Sequence, residues 1–114
     1  MAIHIFSHDP SGLLTQIKQG VDSGKIVTWS YDKDGDFLHE PYQWKGKAWF
    51  RPRIFPGKLT MIIFPAKGGG VSSAVYSAYH SHFIEMLLNH FDKSFISASA
   101  TALAADGDVI KSLP

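Results

Sequence analysis

Lys47, Trp49, Arg51 and Arg53 stand at alternate positions and carry the densest binding chemistry in this sequence. On a strand, alternate side chains project to one face, so three cations would share a surface with an indole. Guanidinium groups offer paired donors to phosphate or carboxylate, and the ring offers a stacking plane. Lys45 and Lys58 are close enough in sequence to widen the patch. Residues 41–84 hold six bases (these five and Lys67) and no acid, while residues 1–40 carry six acids against three lysines. Residues 85–114 carry four acids against two lysines, so the basic segment lies between acidic ends. A solvated sheet face with arginines lying over Trp49 would show the same pattern. No zinc-finger, helix-turn-helix or ribonucleoprotein-type motif accompanies it, so nucleic acid as a partner rests on charge alone.

The second constellation is Lys67-Gly68-Gly69-Gly70-Val71-Ser72, between an apolar run and the start of a long helical pattern. A strand, a glycine-rich turn and a helix N-terminus make an anion site, because free N–H groups converge and glycine admits close approach. Lys67 and Ser72 would add donors. The order of residues is not that of a P-loop, and the glycine spacing is not that of a dinucleotide fingerprint. A flexible connection is the plainer reading of three glycines.

Histidine and carboxylate placements argue against a metal. His80 and His90 would be roughly 15 Å apart along a helix, too far to share an ion. His82 and Glu85 are three apart but fall on the expected solvent face. Asp32-Lys33-Asp34-Gly35-Asp36 has the opening of a calcium loop, yet Pro41 stands where the twelfth-position acid belongs. Turn chemistry explains these aspartates without an ion. There is no cysteine, which removes disulfides and thiol catalysis. No GxSxG sequence occurs. His80, beside two tyrosines, would be the general base of an enzyme. No cofactor motif is found.

These residues need elements to hold them. Ala2–Phe6 alternates as a short strand, with Ile3 and Ile5 on one face. Asp9 caps a helix with Pro10 at its first position, and Gly24 stops it. Ile26–Tyr31 and Asp36–His39 form a hairpin around the acidic turn. Lys47–Ile54 and Lys58–Pro65 form a second, with Pro52 requiring an edge or a bulge. Ser72 or Ser73 caps a helix running to about Asp92. The tail from Phe95 alternates serine and threonine with alanine as a strand would. The order implies one α+β domain over 1–114, with a mainly antiparallel sheet of four to six strands against one long and one short helix.

At 100° per residue the long helix shows an apolar arc of about 220°, against somewhat over ~100° for a helix covered on one side. That excess suggests a homo-oligomer through the 72–92 helix, unless the first helix and the tail cover it. Hydrophobic content of 45% and charged content of 18% exclude a disordered chain. No signal-peptide pattern and no membrane-length apolar run is present, which points to a cytoplasmic protein without a membrane partner. The functional expectation is a non-catalytic binding or regulatory module whose basic aromatic face engages a protein, a nucleic acid or a small anion. The alternative is a small enzyme holding a phosphorylated or carboxylated molecule at the glycine loop.

Overall fold

A computed structural model of the chain describes residues 2–65 and 71–102. Eight elements follow in order: β1 (Ala2–Phe6), α1 (Pro10–Asp22), β2 (Trp29–Tyr31), β3 (Phe37–His39), β4 (Ala48–Phe55), β5 (Lys58–Pro65), α2 (Ser73–His90) and β6 (Ser97–Ala100). The strands form one antiparallel sheet in the order β2-β3-β4-β5-β1-β6. Both helices share one side of it, giving the expected α+β architecture. No helix among the described residues is long and apolar enough to cross a membrane.

Local chemistry sets most of the boundaries. The Asp9 carboxylate accepts from the Gly12 N–H at 3.0 Å, satisfying an otherwise orphaned donor of α1. Gly24, at φ 79°, takes the left-handed turn that ends the helix. In the β2–β3 turn, Asp32 Oδ1 accepts from the N–H groups of Asp34 and Asp36, and Gly35 sits at φ 85°. The first strand of that hairpin is shorter than its β-branched run suggested, because Ile26 already turns back to bond the Gly20 carbonyl.

The expectation of an edge at Pro52 holds locally, without a bulge. The strand of Pro52 is interior in the sheet order, and its pairing with β5 continues without a bulge from Ala48 to Phe55. The missing donor is tolerated because β3 is short and pairs with β4 at Phe50, so the half of β4 beyond it has β5 alone as a neighbour.

Alternation sorts the sheet into two faces. Ile3, Ile5, Phe37, Phe50, Leu59, Met61 and Ile63 point to the helices and join Leu13, Ile17, Tyr79, Phe83 and Leu87 in one buried cluster. Trp29 anchors the far end edge-to-face against Tyr79 and Phe83. β6 completes the edge: Ala98 and Ala100 lie on the helix side opposite Ile5 and Ile3, with Ala98 partly buried against the core and Ala100 exposed. The wide apolar arc of α2 is largely buried by this arrangement, including Tyr76, Tyr79, Met86 and Leu87, while Leu88 stays 57% exposed.

Candidate functional site

The face of the sheet away from the helices carries the basic aromatic residues. On β4 and β5, Trp49 lies opposite Phe64, Arg51 opposite Ile62 and Arg53 opposite Thr60. Trp49 and Phe64 stack with ring centroids 6.1 Å apart and planes 19° from parallel. The Arg51 guanidinium rests 4.8 Å above the Phe64 ring. Strand pairing thus brings three of the expected residues, Trp49, Arg51 and Arg53, onto one surface.

Asp36 changes the electrostatics of that surface. It sits just before Phe37, which pairs with Phe50, so alternation places it beside Arg51. Arg51 donates from Nε and Nη2 to the two carboxylate oxygens, each at 3.0 Å. Asp36 is buried, and these bonds reinforce the charged form of Arg51. Lys45 is similarly held by Glu40 at 3.1 Å. Glu40 also accepts from the Ser30 hydroxyl, and these donors hold its carboxyl below the usual range. Arg53 and Lys47 are exposed, and neither has a carboxylate partner among the described residues. A groove of about 400 Å³ opens between Trp49, Arg51 and Phe64 on one side and Asp32 and Asp34 on the other.

The aromatic and cationic character extends to the hairpin end. Phe55 and Phe6 flank Lys58 in register and are 43% and 42% exposed, with the Lys58 ammonium 5.1 Å from the Phe55 ring. The glycine-loop residues Lys67, Gly68, Gly69 and Gly70 lie outside the described residues. Ser72 is the N-cap of α2, its hydroxyl accepting from the Val75 N–H at 3.2 Å.

A different cluster was missed in the sequence. His39 is buried and stacks on Trp29. Its Nδ1 lies 2.9 Å from the Thr28 carbonyl and its Nε2 lies 2.8 Å from Nδ1 of His82. A carbonyl only accepts, so His39 carries its proton on Nδ1. Burial pushes its pKa down, so it is neutral and its Nε2 must accept from the His82 Nδ1–H. His82, expected on the solvent face of α2, is instead half-buried, because the β2–β3 end of the sheet reaches beneath it. The available signal was period two: Phe37 is plainly a core residue, and His39 follows it on the same face.

His80 is buried, with Nδ1 donating to the Tyr76 carbonyl at 2.7 Å. A hydrogen bond within its own helix turn fits a packed core histidine. Among the described residues no group of three or more histidines and carboxylates is placed to hold a metal. Comparison with protein-family models, curated proteins and solved structures found no match, so the functional reading rests on these side chains.

Proposed function

We propose that this chain is a binding module whose β4–β5 face docks a protein partner. The observation that carries this reading is the alternation of accessible aromatic rings with cations along that face. Trp49, Phe64, Phe55 and Phe6 supply apolar anchors, and Arg53 and Lys58 supply charge between them. Aromatic and arginine side chains dominate the energetics of protein interfaces. The bound Asp36 and the neighbouring Asp32 and Asp34 would repel a run of phosphates, which favours a polypeptide of mixed charge over nucleic acid. A small anion is less well served, since one edge of Arg51 is already occupied by a carboxylate.

The test is capture from a lysate of the source cells by wild-type protein, R53E and F55S, followed by affinity measurement on any purified partner. Both substitutions are at exposed positions and should leave the fold intact, as circular dichroism can verify. The reading expects a nuclease-resistant protein partner whose affinity falls about tenfold or more in each variant. Nuclease-sensitive capture would transfer the face to nucleic acid. Self-association sensitive to the same substitutions would make the partner a second copy. A partner retained equally by both variants would remove this face from the function.

A further inference from the structure

A cleft of about 330 Å³ lies beside α2, away from the β4–β5 face, and is lined by His39, Pro41, His82, Glu85, Met86 and Asn89 among others. We propose that it is a small-molecule site taking a neutral, hydroxyl-bearing ligand, with His82 Nε2 as the hydrogen-bond acceptor. The assignment follows from where the protons must be. The Thr28 carbonyl fixes the proton of His39 on Nδ1, which leaves Nε2 of His39 to accept from His82 Nδ1–H. The remaining nitrogen of His82, Nε2, therefore carries a lone pair when the ring is neutral, and it has no partner among the described residues. In free imidazole either nitrogen can hold the proton. Here the buried neighbour decides, and it leaves an acceptor on a side chain that lines the cleft.

The rest of the lining selects the ligand's class. Glu85 is a second acceptor three residues along the same helix, and Asn89 follows it after one turn. No lysine or arginine lines the cleft, so an anion would meet Glu85 without a compensating charge. Pro41 and Met86 provide apolar contact. Thr28 and His90 complete the lining, and two acceptors, these further polar groups, one amide and an apolar wall suit a neutral molecule with a hydroxyl group on a hydrocarbon frame. The volume is at the small end of ligand sites, which limits the guest to a few rings or fewer. His39 does not touch the ligand in this arrangement. It is a positioning residue that sets the tautomer of His82.

Phenol and toluene are suitable probes, since they share a ring and differ by the hydroxyl. Two-bond ¹H–¹⁵N spectra of the histidine side chains should show His82 in the free protein with its proton on Nδ1. Phenol at millimolar concentration should shift the His82 Nε2 resonance and the Met86 methyl saturably, whereas toluene should leave Nε2 unmoved. H82F, which keeps a ring of similar shape but has no acceptor, should bind phenol about tenfold more weakly, the loss of one hydrogen bond of ~1.4 kcal/mol. E85A, on the exposed side of the helix, should retain the His82 tautomer and so report on the ligand without disturbing the pair. A His82 proton on Nε2 overturns the proposal, as do equal responses to both probes or no response to either.

Discussion

The imidazole of His39 lies flat on the indole of Trp29, with ring centroids 4.1 Å apart and planes 21° from parallel. The stack seals one side of a ring whose two nitrogens are both engaged within the protein. Charging such a ring would place a cation away from water. Burial is the main reason its pKa falls below the usual value, and the proximity of His82 acts in the same direction. The Thr28 carbonyl and the carboxylates of Glu40 and Glu85 oppose this without reversing it.

That asymmetry predicts acid sensitivity. With its folded pKa depressed, His39 binds a proton more readily in the unfolded chain, so stability rises with pH through this range. The contribution is fully present above the unfolded value of about 6.5 and is lost as pH falls below it. Denaturant unfolding from pH 7.5 downward should show stability dropping from near pH 6.5. His4, whose pKa is lowered by burial and by Lys58, adds a part of the same sign. An H39F variant should therefore flatten the slope without abolishing it. An unchanged slope in H39F would show that other groups set the acid response.

Arg51 and Arg53 occupy the same face two residues apart, and their substitutions should separate. Arg51 answers a carboxylate whose side chain is 6% exposed, while the arginine side chain itself is 55% exposed. Solvent screening discounts the pair, but R51A strips both hydrogen bonds from a buried acid and should cost about 1–2 kcal/mol. R53A, with no partner among the described residues, should stay within about 0.5 kcal/mol of wild type. Chemical denaturation of the two variants checks the contrast. Equal losses would mean that Arg53 has a structural role as well.

The first turn of α1 offers a coupled pair. A Cβ on Gly12 would lie 2.1 Å from Asp9 Oδ2, in the space the capping carboxylate occupies. D9A should cost about 1 kcal/mol through the lost cap. G12A should displace the same carboxylate and forfeit the cap, which offsets the helix-favouring gain of alanine. In the D9A background that conflict is gone, and the glycine-to-alanine change should stabilise by a few tenths to about 1 kcal/mol. A double-mutant cycle reads the coupling directly, and additive effects would place the cap elsewhere.

Periodicity carried the fold further than it carried the site. The spacing of Ile3 and Ile5 named the core face of β1 correctly, because the pattern is local. Proline at the first turn and glycine at the stop fixed α1 for the same reason. The Arg51–Asp36 pair needed the register between β3 and β4, which no local pattern supplies. The His39–His82 contact joins residues 43 apart in sequence. Helical spacing assigned His82 to solvent because it takes no account of which sheet edge lies under the helix. The breadth of the α2 apolar arc was legible, but what buries it was not. Tyr79 and Phe83, at the middle of that arc, pack against Trp29, Phe37 and Phe50, residues far from them in sequence.

Gly20 is where the two helices' packing can be tested against helix propensity. It is buried in α1, and a Cβ there would lie 2.8 Å from Ile26 Cδ1 and 3.3 Å from Phe91 Cζ, at the foot of α2. Alanine should gain about 1 kcal/mol as a helix former, but inserting a methyl into a filled site costs typically 1–3 kcal/mol. The nearer clash is with the end of a flexible side chain, which can move, while the phenyl edge is backed by the core. The overpacking should therefore win narrowly, leaving G20A destabilised by about 1 kcal/mol. I26V removes the Cδ1 atom and alone should cost about 0.5–1.5 kcal/mol for the space it leaves. Combined, the added methyl takes up part of that space, so G20A/I26V should be more stable than the sum of the single changes predicts. Thermal or denaturant unfolding of the four proteins measures this. Additivity would show that Ile26 already yields without strain and that the close approach of α1 to Phe91 sets the limit.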